Sequence, residues 1–141
     1  MMYYVYTNGI KGGSYMGVWI AAAGKLWVSP KPDENLIREF IKFNKSTCPN
    51  GYSEEEVFPN TWFFDENDML ASVAGKFCEP EIWYRHMKKY FFEERGYWLD
   101  GDPLIVGEDY YDFENLCRQR SEEYHKWADR KREIEEEWYS I

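Results

Sequence analysis

Residues 109–139 read DYYDFENLCRQRSEEYHKWADRKREIEEEWY, with no glycine or proline anywhere in the run. Along it Phe113, Cys117, Arg120, Tyr124, Trp127, Lys131, Ile134 and Trp138 recur at alternating steps of four and three. That spacing puts all of them on one face of an α-helix. Two of these positions, Arg120 and Lys131, are basic, so the seam departs from an ideal coiled coil. A helix of this length spans about 40–45 Å at 1.5 Å per residue. It must lie across a domain or project from one. A projecting helix would offer Trp127, Ile134 and Trp138 to a partner, including a second copy of the chain in a homodimer.

Upstream of residue 109 the pattern changes. Tyr3–Thr7, Tyr15–Ala22 and Leu26–Ser29 are aromatic or β-branched runs separated by Asn8-Gly9, Gly12-Gly13 and Gly24-Lys25. They predict an N-terminal antiparallel meander. Pro30 and Pro32 stop it. Asp33 is placed to cap a helix to about Lys45, with Leu36, Ile37, Phe40 and Ile41 as its buried stripe. Thr61–Asp65 (TWFFD) is a short strand candidate, and Met69–Phe77 fits strand or helix. Pro80 suits the first turn of another helix, lined by Ile82, Trp83, Met87, Tyr90 and Phe91 and closed by Gly96. Strands at 97–99 and 104–106 flank an Asp100-Gly101-Asp102 turn. The expected class is α+β: a small antiparallel sheet, two shorter helices and a long amphipathic C-terminal helix. The body is expected over 1–108, and the helix over 109–141 is part of that domain or projects from it.

The chain has 141 residues, a fifth of them aromatic, and a formal net charge of -9. That length suits one domain with a real core, and the aromatic content argues against disorder. The charge is unevenly placed. Residues 1–53 carry six Lys/Arg against three Asp/Glu, whereas 54–141 carry eleven against twenty-three. Residues 54–70 hold Glu54, Glu55, Glu56, Asp65, Glu66 and Asp68 with no base, and 93–115 hold eight acids with Arg95 as the one base. Such asymmetry gives one region a defined field.

Motifs that fix chemistry are missing. The glycine-rich 12–17 segment lacks the GK[ST] ending of a phosphate loop. Asp65-Glu66-Asn67-Asp68 lacks the glycine and glutamate of a calcium loop, where Leu70 and Lys76 stand instead, and reads as an acidic turn. Cys48, Cys78 and Cys117 are far apart, with no CxxC pair for zinc. His86 and His125 sit on separate helices without a nucleophile motif. No cofactor, metal or catalytic residue is expected. No run is long and apolar enough for a membrane helix and no leader is visible, so a cytosolic protein is expected. The net charge opposes direct nucleic-acid binding.

The opposite arrangement fits better. A surface of Asp and Glu can occupy a basic groove built for phosphates, with aromatic side chains as anchors. The candidate contact residues are Glu54, Glu55, Glu56, Asp65, Glu66 and Asp68 for charge, with Trp62, Phe63 and Trp98 as anchors and Trp127, Ile134 and Trp138 on the last helix. The alternatives are a small-ligand binder for a nucleotide signal, a homo-oligomeric structural protein and, behind these, an enzyme.

The block Lys89-Tyr90-Phe91-Phe92-Glu93-Glu94-Arg95-Gly96-Tyr97-Trp98-Leu99-Asp100-Gly101 resembles one in small uncharacterised phage and prophage proteins. It covers about a tenth of the chain and carries no functional residue over. The short, acidic, aromatic, motif-free profile is also similar to that of anti-CRISPR inhibitors of bacterial defence, a group with no common sequence motif. The resemblance implies a phage-type inhibitor acting in the host cytosol on a host protein with a basic surface, such as a nuclease effector.

Overall fold

The computed structural model describes residues 18–46, 49 and 58–139. The expected strand at Tyr3–Thr7, the first part of Tyr15–Ala22, and Glu54, Glu55 and Glu56 lie outside the described residues. The order of elements is β1 (Ile20–Ala23), β2 (Trp27–Ser29), α1 (Glu34–Ser46), β3 (Trp62–Phe64), β4 (Leu70–Ser72), α2 (Pro80–Met87), β5 (Trp98–Asp100), β6 (Leu104–Gly107) and α3 (Phe113–Tyr139). The fold is α+β, with small antiparallel sheets and a long C-terminal helix.

Strand pairing differs from a meander in the described part. β1 and β2 do not fold back on each other at Gly24-Lys25. Instead β1 pairs with β6, from Ile20 opposite Gly107 to Ala23 opposite Leu104. β2 pairs with β5, from Trp27 opposite Asp100 to Ser29 opposite Trp98. Each step along 20–29 is matched by one step back along 107–98, so the two ladders share a single register. They are the halves of one long ribbon, bent where Gly24-Lys25-Leu26 faces Gly101-Asp102-Pro103. Gly101 belongs at that bend. Its φ is +149°, and a Cβ there would lie 2.8 Å from Leu26 Cδ2 and 3.0 Å from the Lys25 carbonyl oxygen. Tyr84 pins the bend by donating its hydroxyl to the Gly101 carbonyl at 3.0 Å. On its other side the ribbon joins the β3–β4 hairpin through reciprocal hydrogen bonds between Leu26 and Leu70 and between Ile20 and Gly75.

The helices follow local chemistry. Asp33 Oδ1 accepts the Leu36 N–H at 2.8 Å, which caps α1. Leu36, Ile37, Phe40 and Ile41 are buried as one stripe. Pro80 opens α2, which continues through a π-helical turn, Lys88–Phe92, and a 3-10 turn, Glu93–Arg95. The wider turn brings the neighbours Phe91 and Phe92 both into the core, edge to face at 4.9 Å. Gly96, at φ +80°, closes the segment in the left-handed conformation that glycine adopts without strain.

The core is aromatic. Phe40 packs edge-on against Phe64 at 5.0 Å, Phe91 at 5.6 Å and Trp127 at 6.2 Å, tying α1, β3, the π turn and α3 together. Trp127 and Ile134 lie in the same buried cluster. The α3 seam therefore faces the chain's own core, and the helix lies across the body. The basic position Arg120 has a structural use. Its guanidinium is buried, donates to Glu123 at 3.1 Å and reaches the Gly24 carbonyl at 3.4 Å, fastening α3 to the ribbon's bend. Among the described residues no helix is long and apolar enough to cross a membrane.

Candidate interaction face

The Asp65–Asp68 stretch is an acidic turn between β3 and β4. Asp65 Oδ1 accepts the N–H groups of Asn67 and Met69 at 2.8 and 3.0 Å, and Asp68 takes a positive φ of 61°. Its charges are internally neutralised. Asp65 is buried and bound at 2.5 Å by Lys25 Nζ, which also holds Glu123. Glu66 pairs with Lys126 at 3.0 Å, and Asp68 lies 4.0 Å from Arg130. Three of the acids expected to face a partner thus face cations of this chain. Only Glu66 among them is well exposed.

The expected anchors divide in the same way. Trp62 and Phe63 are core residues: Trp62 donates its indole N–H to the Pro80 carbonyl at 2.8 Å, and Phe63 packs edge-on against Tyr124 at 5.5 Å. Trp127 and Ile134 are buried as well. All four are spent on the chain's own core, which leaves them little surface for a partner. Trp138 is half-buried against the core with the ammonium groups of Lys42 and Lys45 over its ring at 5.1 and 5.9 Å. Trp98 is the one expected anchor that stands in solvent, at 54% exposure.

The second acidic stretch, 93–115, is the open one. Glu93, Glu94, Asp100, Asp102, Glu108, Asp109 and Glu114 are exposed and Asp112 is half-buried. Among the described residues none of these eight carboxylates is in an ion pair. Arg95, the one base in the stretch, is committed to Glu39 at 2.6 Å and to the Phe91 carbonyl at 3.1 Å. Neighbouring groups register the resulting field. Burial, with Asp100 and Asp102 adding to it, pushes the Tyr84 phenol up, and burial with Glu108 and Glu114 does the same to the Cys117 thiol.

Large apolar side chains stand among these acids. Leu104 is 62% exposed and Tyr111 91%. At the start of α3 a cleft of about 490 Å³ is lined by Glu108, Tyr110, Tyr111, Asp112, Glu114 and Arg118. Acids here also favour the helix N-terminus. Trp27, 61% exposed and directly opposite Asp100, extends the face across β2. Sequence reading overlooked it. The signal was the alternation in Leu26-Trp27-Val28-Ser29, which sets the tryptophan on the serine's face, away from the buried leucine.

The two histidines have different surroundings. His86 is buried against Phe43, Trp83 and Tyr90, and burial pushes its pKa down. His125 is exposed, with Nδ1 2.7 Å from the Ser121 carbonyl oxygen. Among the described residues no group of three or more His, Cys, Asp or Glu is placed to hold a metal ion. Burial, with Glu79 nearby, pushes the Cys78 thiol up to about 12, which makes it a poor nucleophile. Comparison with protein-family models, with curated proteins and with solved structures finds no match for this chain.

Proposed function

We propose that this chain is a non-catalytic acidic binding protein that occupies a basic, phosphate-binding surface of another protein. One observation carries the reading: among the described residues the eight carboxylates in 93–115 are in no ion pair, while exposed Trp98, Leu104 and Tyr111 stand among them. Unneutralised charge speeds encounter with a surface of opposite sign, and aromatic side chains supply most of the energy once contact is made. The resemblance of residues 89–101 to phage and prophage proteins, and the profile similar to anti-CRISPR inhibitors, give the proposal its setting. The partner is then a host defence protein, such as a nuclease effector, met in the host cytosol.

The test is capture of partners by the tagged chain from lysate of a bacterial host, at low and at high salt. It is run beside a variant carrying Asp100→Asn, Asp102→Asn, Glu108→Gln and Asp109→Asn. The expected result is a basic protein retained at low salt, released at high salt, and lost by the variant. Equal retention by the variant would remove the acidic face from the account.

A further inference from the structure

The open face of the β2–β5 ladder carries two tryptophans that the core does not use. Trp27 and Ser29 on β2 share this face with Trp98 and Asp100 on β5, while Val28 and Leu99 turn inward. One ring on the face already holds a cation, because Lys88 Nζ lies 4.5 Å from the centre of the Trp98 ring. Among the described residues the Trp27 ring is in no aromatic pair and under no cation.

Directly opposite Trp27 stands Asp100. Its Oδ1 accepts the Gly101 N–H at 2.9 Å, and among the described residues neither it nor Asp102 is in an ion pair. Residues directly opposite on antiparallel strands have Cβ atoms about 4.5–5.5 Å apart. A planar cation lying flat on the indole can therefore direct an N–H at its edge to the carboxylate. A guanidinium makes both contacts at once, whereas an ammonium is a point charge without a flat face.

The geometry points to Trp27 and Asp100 as the seat for an arginine side chain of a basic partner protein. Charge selects this occupant. A second copy of the chain would bring -9 against -9, and a nucleic acid would be repelled by the same acids. An apolar partner would bury Asp100 without a counter-charge, which is costly. The inference rests on the proposed function, since it supposes a basic partner, and adds the residue that the partner presents.

The probes are hexa-arginine and hexa-lysine peptides, titrated calorimetrically into the full chain at low salt. The arginine peptide is expected to bind on the order of fivefold to tenfold more tightly than the lysine peptide, the scale of one exposed cation–π contact with its hydrogen bond. Trp27→Ala should abolish that preference while changing lysine-peptide affinity less than about twofold, whereas Asp100→Asn should weaken binding of both peptides and shrink the preference. Trp27→Phe should keep part of it, because the ring remains but its face is weaker. Both sites are exposed, and unchanged melting temperatures would show the variants folded. A preference that is absent in the wild type, or that survives Trp27→Ala, overturns the seat. If the two peptides bind equally and salt weakens both, the acidic reading stands and the seat alone fails. If neither peptide binds, both fail. A dimer in light scattering that Trp27→Ala dissolves would give the face to a second copy and also overturn the proposal.

Discussion

Lys25 holds two carboxylates that come from distant parts of the chain, Asp65 after β3 and Glu123 on α3. Lys25→Met would leave the Asp65 carboxylate buried without its cation, a change that costs about 3 kcal/mol or more. Denaturant unfolding of the variant measures it. Burial by itself would lower the Lys25 pKa, but the hydrogen bonds to Asp65 and Glu123 more than reverse that and leave it raised. A raised folded value means that the stabilisation is complete below the ordinary lysine value near 10.4 and fades as pH climbs beyond it. The alkaline loss of stability should therefore be shallower in Lys25→Met than in the wild type. His86 has the opposite sense. Burial disfavours its cation in the fold, so the unfolded chain takes up the proton first, near pH 6.5, and stability falls as pH drops below that value. His86→Phe keeps a ring beside Phe43, Trp83 and Tyr90 and should flatten the melting temperature between neutral and mildly acid pH. None of this pairing could be read from sequence, where Asp65 is one acid among six and Lys25 belongs to a turn.

The elements with local causes were legible in the sequence. Asp33 caps α1 and the stripe behind it is buried, because both depend on residues three or four apart. Pro80, Gly96 and the run over 109–139 mark their helices for the same reason, although α3 starts only at Phe113, because residues 109–112 form turns that lead from β6 into the helix. The direction of the α3 seam was not legible, since the same heptad spacing serves a partner helix or the chain's own core. Phe40 and Phe64 decide it by packing onto Trp127. Trp127→Ala is therefore expected to cost about 3–5 kcal/mol as a core deletion. Truncation after Gln119 should yield an unfolded chain rather than a smaller folded one, read by circular dichroism. Strand partners were illegible too. The segments 20–29 and 98–107 are each interrupted by a turn-like sequence, and nothing local shows that the two interruptions face each other. Gly101→Ala tests that arrangement. With a positive φ and a Cβ forced against Leu26 and the Lys25 carbonyl, it should destabilise by well over about 1 kcal/mol. Gly96→Ala, where a Cβ meets open space, should cost only about 1 kcal/mol.

At the scale of the whole molecule, the charge asymmetry was visible from composition, but its open part was not. Both acidic stretches look alike as sequence. The fold separates them by laying α3, with Lys126 and Arg130, beside the β3–β4 turn, while among the described residues no ion pair neutralises the acids of β5, the β5–β6 turn and the entry to α3. Screening confines such a field to about 8 Å at physiological salt, so contact residues should dominate its effect. The direct test removes two charges from each stretch and compares association rates with the captured basic partner across a salt series. Asp100→Asn with Asp102→Asn should slow association at low salt and flatten its salt dependence, while Glu66→Gln with Asp68→Asn should leave both near wild type. The reverse ranking, or no difference between the two variants, would contradict the account.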